Sequence, residues 1–409
     1  MIRHRWVWAA GMALSLGCAS PALEGARVAS ESDRGAAAQA IAALQQGRFD
    51  EAEKLARQST AADGENPYPR LVGAVVRYKR AMHQLALDGE TLVIGGLEAG
   101  AINQKYLKVA LGDAESELAA VEADLAVVAE TRGFSMELCL ACWEIDWNAN
   151  GRVDHRDRML LQIEQDESGE PIPEDDPRRK PTFRFDDGDI PWARAFVSFQ
   201  RAALDVLLAY DWSEAAAIAR GRRDRPGKIV VRLVDRDRIA QARTRVLEGL
   251  AFSDASRRAY LAETDDDREW VPNPRQKSHP MPLPVDSALY DTWEGVVGDV
   301  RRLVEGGEGL SVADLFTLAE ERTERPPRGY LDVGRMLSSP KDIVIDLEKV
   351  EELDEDREIE RLLSALLGEY YVPEMKPSPL PRRLLRMKGE IDRHEGELER
   401  KLRYLLWLN

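Results

Sequence analysis

Apolar residues recur at spacings of three and four along most of the chain, which is the period of an amphipathic α-helix. The longest pattern predicts a helix from Gln104 to Glu130, with an apolar stripe at Leu107, Leu111, Leu118, Val121, Leu125 and Val128. A second helical region, residues 183–263, contains the amphipathic run Ala193 to Tyr210 and a helix through Val246 and Leu250. The pattern therefore predicts a mainly α protein.

The C-terminal region, residues 287–409, carries three further helical runs, which are Ala288 to Val304, Ser311 to Glu321 and Asp356 to Leu367. Its terminal helix has an apolar stripe at Leu384, Met387, Ile391, His394, Leu398, Leu402 and Leu405. Such a stripe packs against the rest of the chain or recruits a partner helix.

Shorter features interrupt these helices. Ile343 to Ile345 predicts a strand, while Ile229 to Val234 forms either a strand or the start of a helix. Ser253 is predicted to cap another short helix. Clustered prolines and charges predict linkers at residues 166–182 and 264–286, because proline cannot continue a helix. The second linker is predicted to be the main domain boundary.

The chain of 409 residues is long enough for two or three domains and carries a formal net charge of -16. Proteins that bind nucleic acid concentrate Lys and Arg on one face. The acidic balance therefore argues against a nucleic-acid partner.

The first residues have the order of a targeting segment. Two arginines precede an apolar run from Trp6 to Leu16, and Gly17 and Cys18 follow it. The run is shorter than the about 20 apolar residues that a membrane-spanning helix needs. Residues 1–17 are therefore predicted to be a signal peptide.

A small residue before a lone cysteine at the end of such a run resembles the lipobox of bacterial lipoproteins. The resemblance implies that Cys18 is acylated and begins an outer-membrane lipoprotein that faces the periplasm or the cell surface. Residues 18–35 are small and polar and are expected to form a tether, so that only the lipid contacts the membrane. Cleavage near Ala19 to Ala22 is the alternative and gives a secreted or periplasmic protein.

Residues 36–133 begin with a predicted helical hairpin around Gly47, followed by Phe49 and Ala52. A glycine, an aromatic residue and an alanine at these spacings let two helices pack closely, and the pattern resembles one tetratricopeptide repeat. The resemblance implies a docking surface for a protein or peptide partner, with a generic helical hairpin as the alternative. After Met82 glycines interrupt the pattern, and one repeat alone does not make a stable stack.

The most specific motif lies in residues 134–165. A hard cation needs several oxygen ligands, which a short loop supplies by alternating polar residues around a glycine. Here Gly151 stands at position six, and positions one, three, five, seven, nine and twelve are Asp146, Asn148, Asn150, the Arg152 carbonyl, Asp154 and Asp157. Helices are predicted on both sides of the loop, from Phe134 to Ile145 and from Arg156 to Ile163.

This helix-loop-helix resembles the EF-hand family, and the aspartate at position twelve is similar to that of dockerin-type loops. The resemblance implies a structural calcium site with those six residues as ligands. Because Asp157 is shorter than the glutamate of sensor-type loops, weaker calcium affinity or a relaxed preference toward magnesium is expected. The alternative is an Asx-rich turn that caps the second helix and binds no metal.

Cys139 and Cys142 are predicted on the helix that enters this loop. Zinc requires a second ligand pair and a redox pair requires a preceding strand, so neither chemistry has its expected sequence context. Buried free thiols are predicted, with a local disulfide as the alternative in an oxidising compartment.

Two charged clusters receive non-metal interpretations. Asp186 and Asp187 do not fit a twelve-residue loop, and they predict a helix start with Asp189 as cap and Pro191 in the first turn, a metal site being the alternative. The run from Gly221 to Lys228 lacks the glycine spacing and the hydroxyl residue of a phosphate-binding loop, which indicates a solvated basic turn.

Together these features predict a lipid-anchored, calcium-binding protein-interaction or scaffold module rather than an enzyme. Neither a Gly-x-Ser-x-Gly nor a His-Glu-x-x-His motif occurs, and the five histidines are scattered. The alternatives are an envelope enzyme of unidentified chemistry and a calcium-responsive regulator, which usually needs a second loop.

Overall fold

The computed structural model describes residues 27–99, 103–147, 150–158, 161–166, 170–213, 228–277, 279, 285–318, 328–346 and 367–392. The protein is mainly helical, which confirms the predicted class. Several predicted features lie outside the described residues, namely the signal segment with Cys18, Asn148, the basic turn at 221–227 and the end of the terminal helix.

The N-terminal part is a layer of packed helices that share one core. Its helices are α1 (Glu31–Ala36), α2 (Ala38–Gln45), α3 (Phe49–Ala62), α4 (Pro67–Ala99) and α5 (Gln104–Ala129). The range of α5 confirms the prediction, and its stripe buries Leu111, Leu118, Val121, Leu125 and Val128. Burial of this stripe supplies most of the stability that holds so long a helix in place.

Glycine has two different roles in this layer. The turn between α2 and α3 contains Gly47, whose φ of +69° is in the left-handed region. Glycine adopts this conformation without strain because it has no Cβ. Helix α4 continues through Gly89, Gly95 and Gly96, where the sequence predicted an interruption. Packing of α4 along α5 offsets the roughly 1 kcal/mol that each interior glycine costs.

The last residues of the predicted tether are bound to this layer. Strand β1 (Arg27–Val28) pairs in parallel with β2 (Thr131–Arg132). Ser30 and Asp33 form a reciprocal capping box at the start of α1, which satisfies backbone donors that the helix leaves free. Residues 27–35 of the predicted tether are therefore part of the folded layer.

The helix predicted from Phe134 to Ile145 is wrong. Strand β3 (Ser135–Leu138) pairs antiparallel with β4 (Phe183–Asp186), with Leu138 opposite Phe183. Met136 and Leu138 are buried while Ser135 and Glu137 are half-buried, which is the alternation of a strand. The pair Cys139 and Cys142 follows in a 3-10 turn, Leu140–Cys142, and forms a disulfide rather than two free thiols on a helix.

Two long helices lie at the centre of the next layer, α7 (Asp189–Ala209) and α8 (Arg236–Ala262), after the one-turn helix α6 (His155–Arg158). The helix start predicted at Ser253 is wrong, because α8 runs through it. Ser253 is buried, and its hydroxyl accepts a hydrogen bond of 3.2 Å from Nε1 of Trp293. Trp293 belongs to α9 (Ser287–Glu305), which Asp286 caps.

Two small sheets flank these helices. The first has the antiparallel order β5 (Tyr210–Asp211), β6 (Lys228–Leu233) and β9 (Ile343–Asp346), so the segments at 229 and 343 are strands. The second has the order β10, β8 and β7, with ranges Tyr371–Val372, Tyr330–Leu331 and Leu310–Ser311.

The C-terminal helices are short in the described residues, namely α10 (Val312–Leu318), α11 (Val333–Ser338) and α12 (Leu380–Asp392). Leu380 is buried in a core that includes Val296 and Val300 of α9. Nε of Arg383 lies 2.9 Å from Oδ2 of the buried Asp299. The described part of the terminal helix thus packs against the rest of the chain. The helix predicted from 356 falls outside the described residues up to 366.

Within the segment predicted as a Pro-rich linker at 264–286, the described residues 269–273 pack against the helices instead. Trp270 and Val271 are buried, and the Asn273 amide donates a hydrogen bond of 2.8 Å to the carbonyl of Tyr260. Tyr290 donates one of 3.0 Å to the carbonyl of Pro272. The described residues 264–277 form no helix, as the prolines predicted, but burial of Trp270 holds this segment against the end of α8 and the start of α9.

Candidate metal sites

The loop from Asp146 to Asp157 is closed by side-chain oxygens that accept backbone hydrogen bonds. Oδ1 of Asp146 accepts from the N–H of Asn150 at 3.1 Å, and Oδ2 accepts from the N–H of Gly151 at 2.7 Å. Gly151 has φ +87°, the left-handed conformation that the sharp turn at position six requires. The backbone at Asn150 and Gly151 is therefore bound to the carboxylate of Asp146.

The end of the loop is folded around Asp157, which is only 3% exposed. Its Oδ1 accepts from the N–H of Trp147 at 2.9 Å, and its Oδ2 accepts from the N–H of Asp154 at 2.9 Å. One carboxylate thus joins positions two and nine of the loop. Nδ2 of Asn150 donates to Oδ2 of Asp154 at 3.2 Å, which brings positions five and nine together.

The loop is also attached to the N-terminal helices. Nδ1 of His83, on α4, lies 2.9 Å from the backbone carbonyl of Asp146 and donates to it. Just before the loop, the ring of Trp143 packs edge-on against Phe49 at a centroid distance of 5.5 Å, and Ile145 is buried. Ordering of the loop is therefore linked to the α2–α3 hairpin and to α4.

The flanks differ from the predicted helix-loop-helix. The entering element is β3 with its 3-10 turn, and the exit helix α6 covers His155–Arg158 in the described residues. The described carboxylates of the loop do not bring three oxygens within 4.8 Å of one another. The exposed guanidinium of Arg152 lies 3.6 Å from Asp154, whereas the predicted ligand of this residue is its carbonyl oxygen.

A second acidic group lies elsewhere in the fold. Among the described residues, Asp186, Glu263 and Glu269 place one carboxylate oxygen each within 4.8 Å of the others, a spacing at which they could hold a metal ion. Asp186 ends β4, Glu263 follows α8, and Glu269 lies in the packed segment after it. Sequence reasoning missed this group because its members are far apart in the chain; the only local signal was the acid run at Asp186.

Burial governs the charge of this group. It raises the pKa of Glu263 to about 9 and that of Glu269 to about 7, from an ordinary value of 4.5. It also raises the pKa of Asp186, and it raises that of Asp189 well above its usual range. Repulsion between these carboxylates acts in the same direction. Without a cation, protons are therefore favoured on these side chains.

Asp189 occupies the helix start that the sequence predicted, but it is the first residue of α7 rather than the cap, which is Gly188. Its Oδ2 accepts a hydrogen bond of 2.9 Å from the N–H of Asp186. Its Oδ1 accepts one of 2.7 Å from the hydroxyl of Tyr260. Both oxygens are thus used in joining β4, α7 and α8.

No protein-family model matches the chain, and no curated protein or solved structure matches it. Among the helices of the described residues, none combines the length and the apolar character needed to cross a membrane. Support for a function therefore comes from the chemistry and geometry of the residues themselves.

Proposed function

We propose that the protein is a calcium-binding scaffold or protein-interaction module of the cell envelope, anchored by a lipid on Cys18. Closure of the 146–157 loop around Asp146 and Asp157 is the observation that carries the calcium assignment. The proposed ligands are Asp146, Asn148, Asn150, the Arg152 carbonyl, Asp154 and Asp157. They are oxygen donors, which suits a hard cation such as calcium.

Calcium in this loop has a structural role in the proposal. The bound ion neutralises the carboxylates of Asp146, Asp154 and Asp157, whose mutual repulsion opposes loop closure. Because the loop is attached to His83 on α4 and lies next to the Trp143–Phe49 contact, its ordering stabilises the N-terminal helices as well. A site of this kind needs only moderate affinity where calcium is abundant.

The N-terminal helices are the proposed partner-binding region. Among the side chains of α4 and α5 whose burial is described, three large apolar ones are exposed, Leu87, Tyr106 and Val109, with 54% of Val109 accessible. Exposed apolar side chains that lie near one another favour contact with a protein or peptide. The Tyr106 hydroxyl donates a hydrogen bond of 2.5 Å to Asp88, the residue after Leu87, so this end of the Tyr106 side chain lies against α4.

Calorimetric titration of calcium into the chelator-treated mature chain tests the proposal. The wild-type chain is expected to bind calcium in the loop and to melt at a higher temperature with calcium, whereas an Asp146→Asn, Asp154→Asn variant loses that site. Glu305→Gln, an exposed change on α9, is the matched control and keeps it. A variant with unaltered calcium binding would reduce the loop to an Asx-rich turn. Micromolar affinity with a large change of shape would instead indicate a calcium-responsive regulator.

The lipid anchor needs its own test. Expression of the full chain with a labelled fatty acid is expected to label the wild type but not Cys18→Ser. Equal labelling of both chains, or no label on either, would contradict acylation at Cys18.

A further inference from the structure

Four carboxylates meet where β4, the start of α7, the end of α8 and the segment after α8 come together. Asp186, Asp189 and Glu269 are 8%, 3% and 2% exposed, and Glu263 is half-buried. Concentrating negative charge in a region of low dielectric is unfavourable unless protons or cations neutralise it.

Basic side chains do little to neutralise this group. Among the described residues, the ion pairs of these four carboxylates reduce to one contact, 3.7 Å between Nη2 of Arg184 and Oδ2 of Asp186. The same guanidinium bonds to Asp265, on the solvent side. One arginine shared with an outer carboxylate leaves most of the buried charge without a counterion.

Two of the carboxylates have oxygens that lack a full set of donors. Oε1 of Glu263 is shielded from solvent and has no hydrogen-bond partner among the described residues. Its Oε2 has a long contact of 3.4 Å with the amide of Gln276. The Glu269 carboxylate, on a residue only 2% exposed, accepts a hydrogen bond of 3.2 Å from the N–H of Asp267. A buried oxygen without a donor costs about 1–3 kcal/mol, which a bound cation would offset.

We propose that Asp186, Glu263 and Glu269 form a second metal site that binds a hard divalent cation, calcium or magnesium. The donor set consists only of oxygen atoms, which these ions prefer, whereas zinc favours nitrogen and sulfur. Asp189 stands beside the site but keeps its hydrogen bonds to Tyr260 and Asp186. The bound ion fastens the segment after α8 to the end of β4, so its role is to hold this corner of the fold together.

The experiment uses the chelator-treated mature chain, titrated with calcium or magnesium by calorimetry and by thermal melting. The expected count is two ions per chain for the wild type and one for the Asp146→Asn, Asp154→Asn loop variant. Adding Glu263→Gln and Glu269→Gln to the loop variant is expected to abolish the remaining binding and the metal-dependent rise in melting temperature. Adding Glu305→Gln instead is the control and leaves both unchanged.

Two results would overturn the second site. In the first, the loop variant binds no ion; in the second, the two glutamine substitutions leave the count unaltered. If the calcium loop alone is misassigned, the wild type still binds one ion, which survives the loop substitutions and disappears with the glutamines. The failures of the two proposals are therefore distinguishable.

Loss of folding does not confuse the test, because the glutamines remove repelling charges and retain the side-chain size. The metal-free glutamine variant is expected to be at least as stable as its parent, and circular dichroism checks its helix content. Higher metal-free stability together with an unaltered ion count would show that protons alone neutralise the cluster.

Discussion

The hydroxyl of Tyr260 donates a hydrogen bond of 2.7 Å to Oδ1 of Asp189, and both residues are buried. The bond joins the last turn of α8 to the first turn of α7. Tyr260→Phe keeps the ring but leaves a buried carboxyl oxygen without its donor, so we expect a loss of about 1–3 kcal/mol in the free energy of unfolding. Urea denaturation followed by circular dichroism measures it.

Tyr290→Phe is the matched control, because it also removes one buried hydroxyl, from a bond of 3.0 Å to the carbonyl of Pro272. A bond to a neutral carbonyl is expected to contribute about 1 kcal/mol. Equal losses of stability for the two variants would show that the hydrogen bond to the Asp189 carboxyl contributes no more than one to a neutral carbonyl.

The carboxylate cluster predicts an unusual pH dependence for the metal-free chain. Because the folded chain raises the pKa of Glu263 to about 9 and that of Glu269 to about 7, against 4.5 normally, it holds more protons than the unfolded chain between these limits. Stability therefore falls as pH rises from about 5 toward 9. Urea denaturation in chelator at several pH values measures the slope.

Glu263→Gln isolates the origin of that slope, because glutamine does not titrate. The free energy of unfolding of the variant is expected to fall less steeply over the same pH range. Its stability relative to the wild type therefore increases as pH rises. Glu53 and Glu115 have lowered pKa values, so they change the pH dependence of stability only below their ordinary pKa of 4.5. They do not contribute to the slope between about pH 5 and 9. A wild-type curve that stays parallel to that of the variant would contradict the raised pKa.

The calcium loop predicts a specific effect at Gly151. Its φ of +87° is strained for any residue with a Cβ, although no atom of the described residues lies within 4 Å of a Cβ placed there. Gly151→Ala is therefore expected to cost about 1 kcal/mol of stability through the backbone alone, and calcium affinity should fall because the carboxylates no longer close around the turn. Calorimetry measures the affinity.

Gly133→Ala provides the comparison, since Gly133 has φ +66° and equally open surroundings outside the loop. It should lower stability by a similar amount but leave calcium affinity intact. The loop assignment fails if both substitutions change calcium binding equally, or if neither changes it.

Local patterns allowed much of the fold to be predicted. In α5 and α7 the buried residues recur with the helical period within a single segment. The sequence pattern therefore predicts where these helices lie. The Gly151 turn was predictable for the same reason, since its partners lie within the loop. By contrast, the run 134–145 fits either a helix or a strand, and only pairing with Phe183–Asp186, far along the chain, decides between them.

Burial and long-range contacts explain the remaining differences. Prolines after residue 270 indicated a linker, but Trp270 anchors the segment against Phe183 at a ring distance of 4.8 Å, which no local pattern reveals. The cluster of Asp186, Glu263 and Glu269 has the same cause, because three separate elements bring its oxygens together. Local sequence patterns can therefore predict a loop whose own residues bind a ligand. They do not predict a site that tertiary packing assembles from distant segments.

A buried ion pair between α7 and α8 gives the last prediction. Asp205 is fully buried, with Oδ1 lying 2.7 Å from Nη1 of Arg238 and Oδ2 paired with Arg245. Asp205→Asn keeps the shape but removes the buried anion that Arg238 and Arg245 share, and leaves them only their pairs with Asp235 and Glu115. We therefore expect a loss of about 3 kcal/mol in the free energy of unfolding. Arg238→Gln should cost less, because Arg245 still neutralises Asp205 and the Arg238 side chain is 29% exposed. Urea denaturation measures the loss of stability in both variants. A smaller loss for Asp205→Asn than for Arg238→Gln would show that Asp205 does not hold α7 and α8 together.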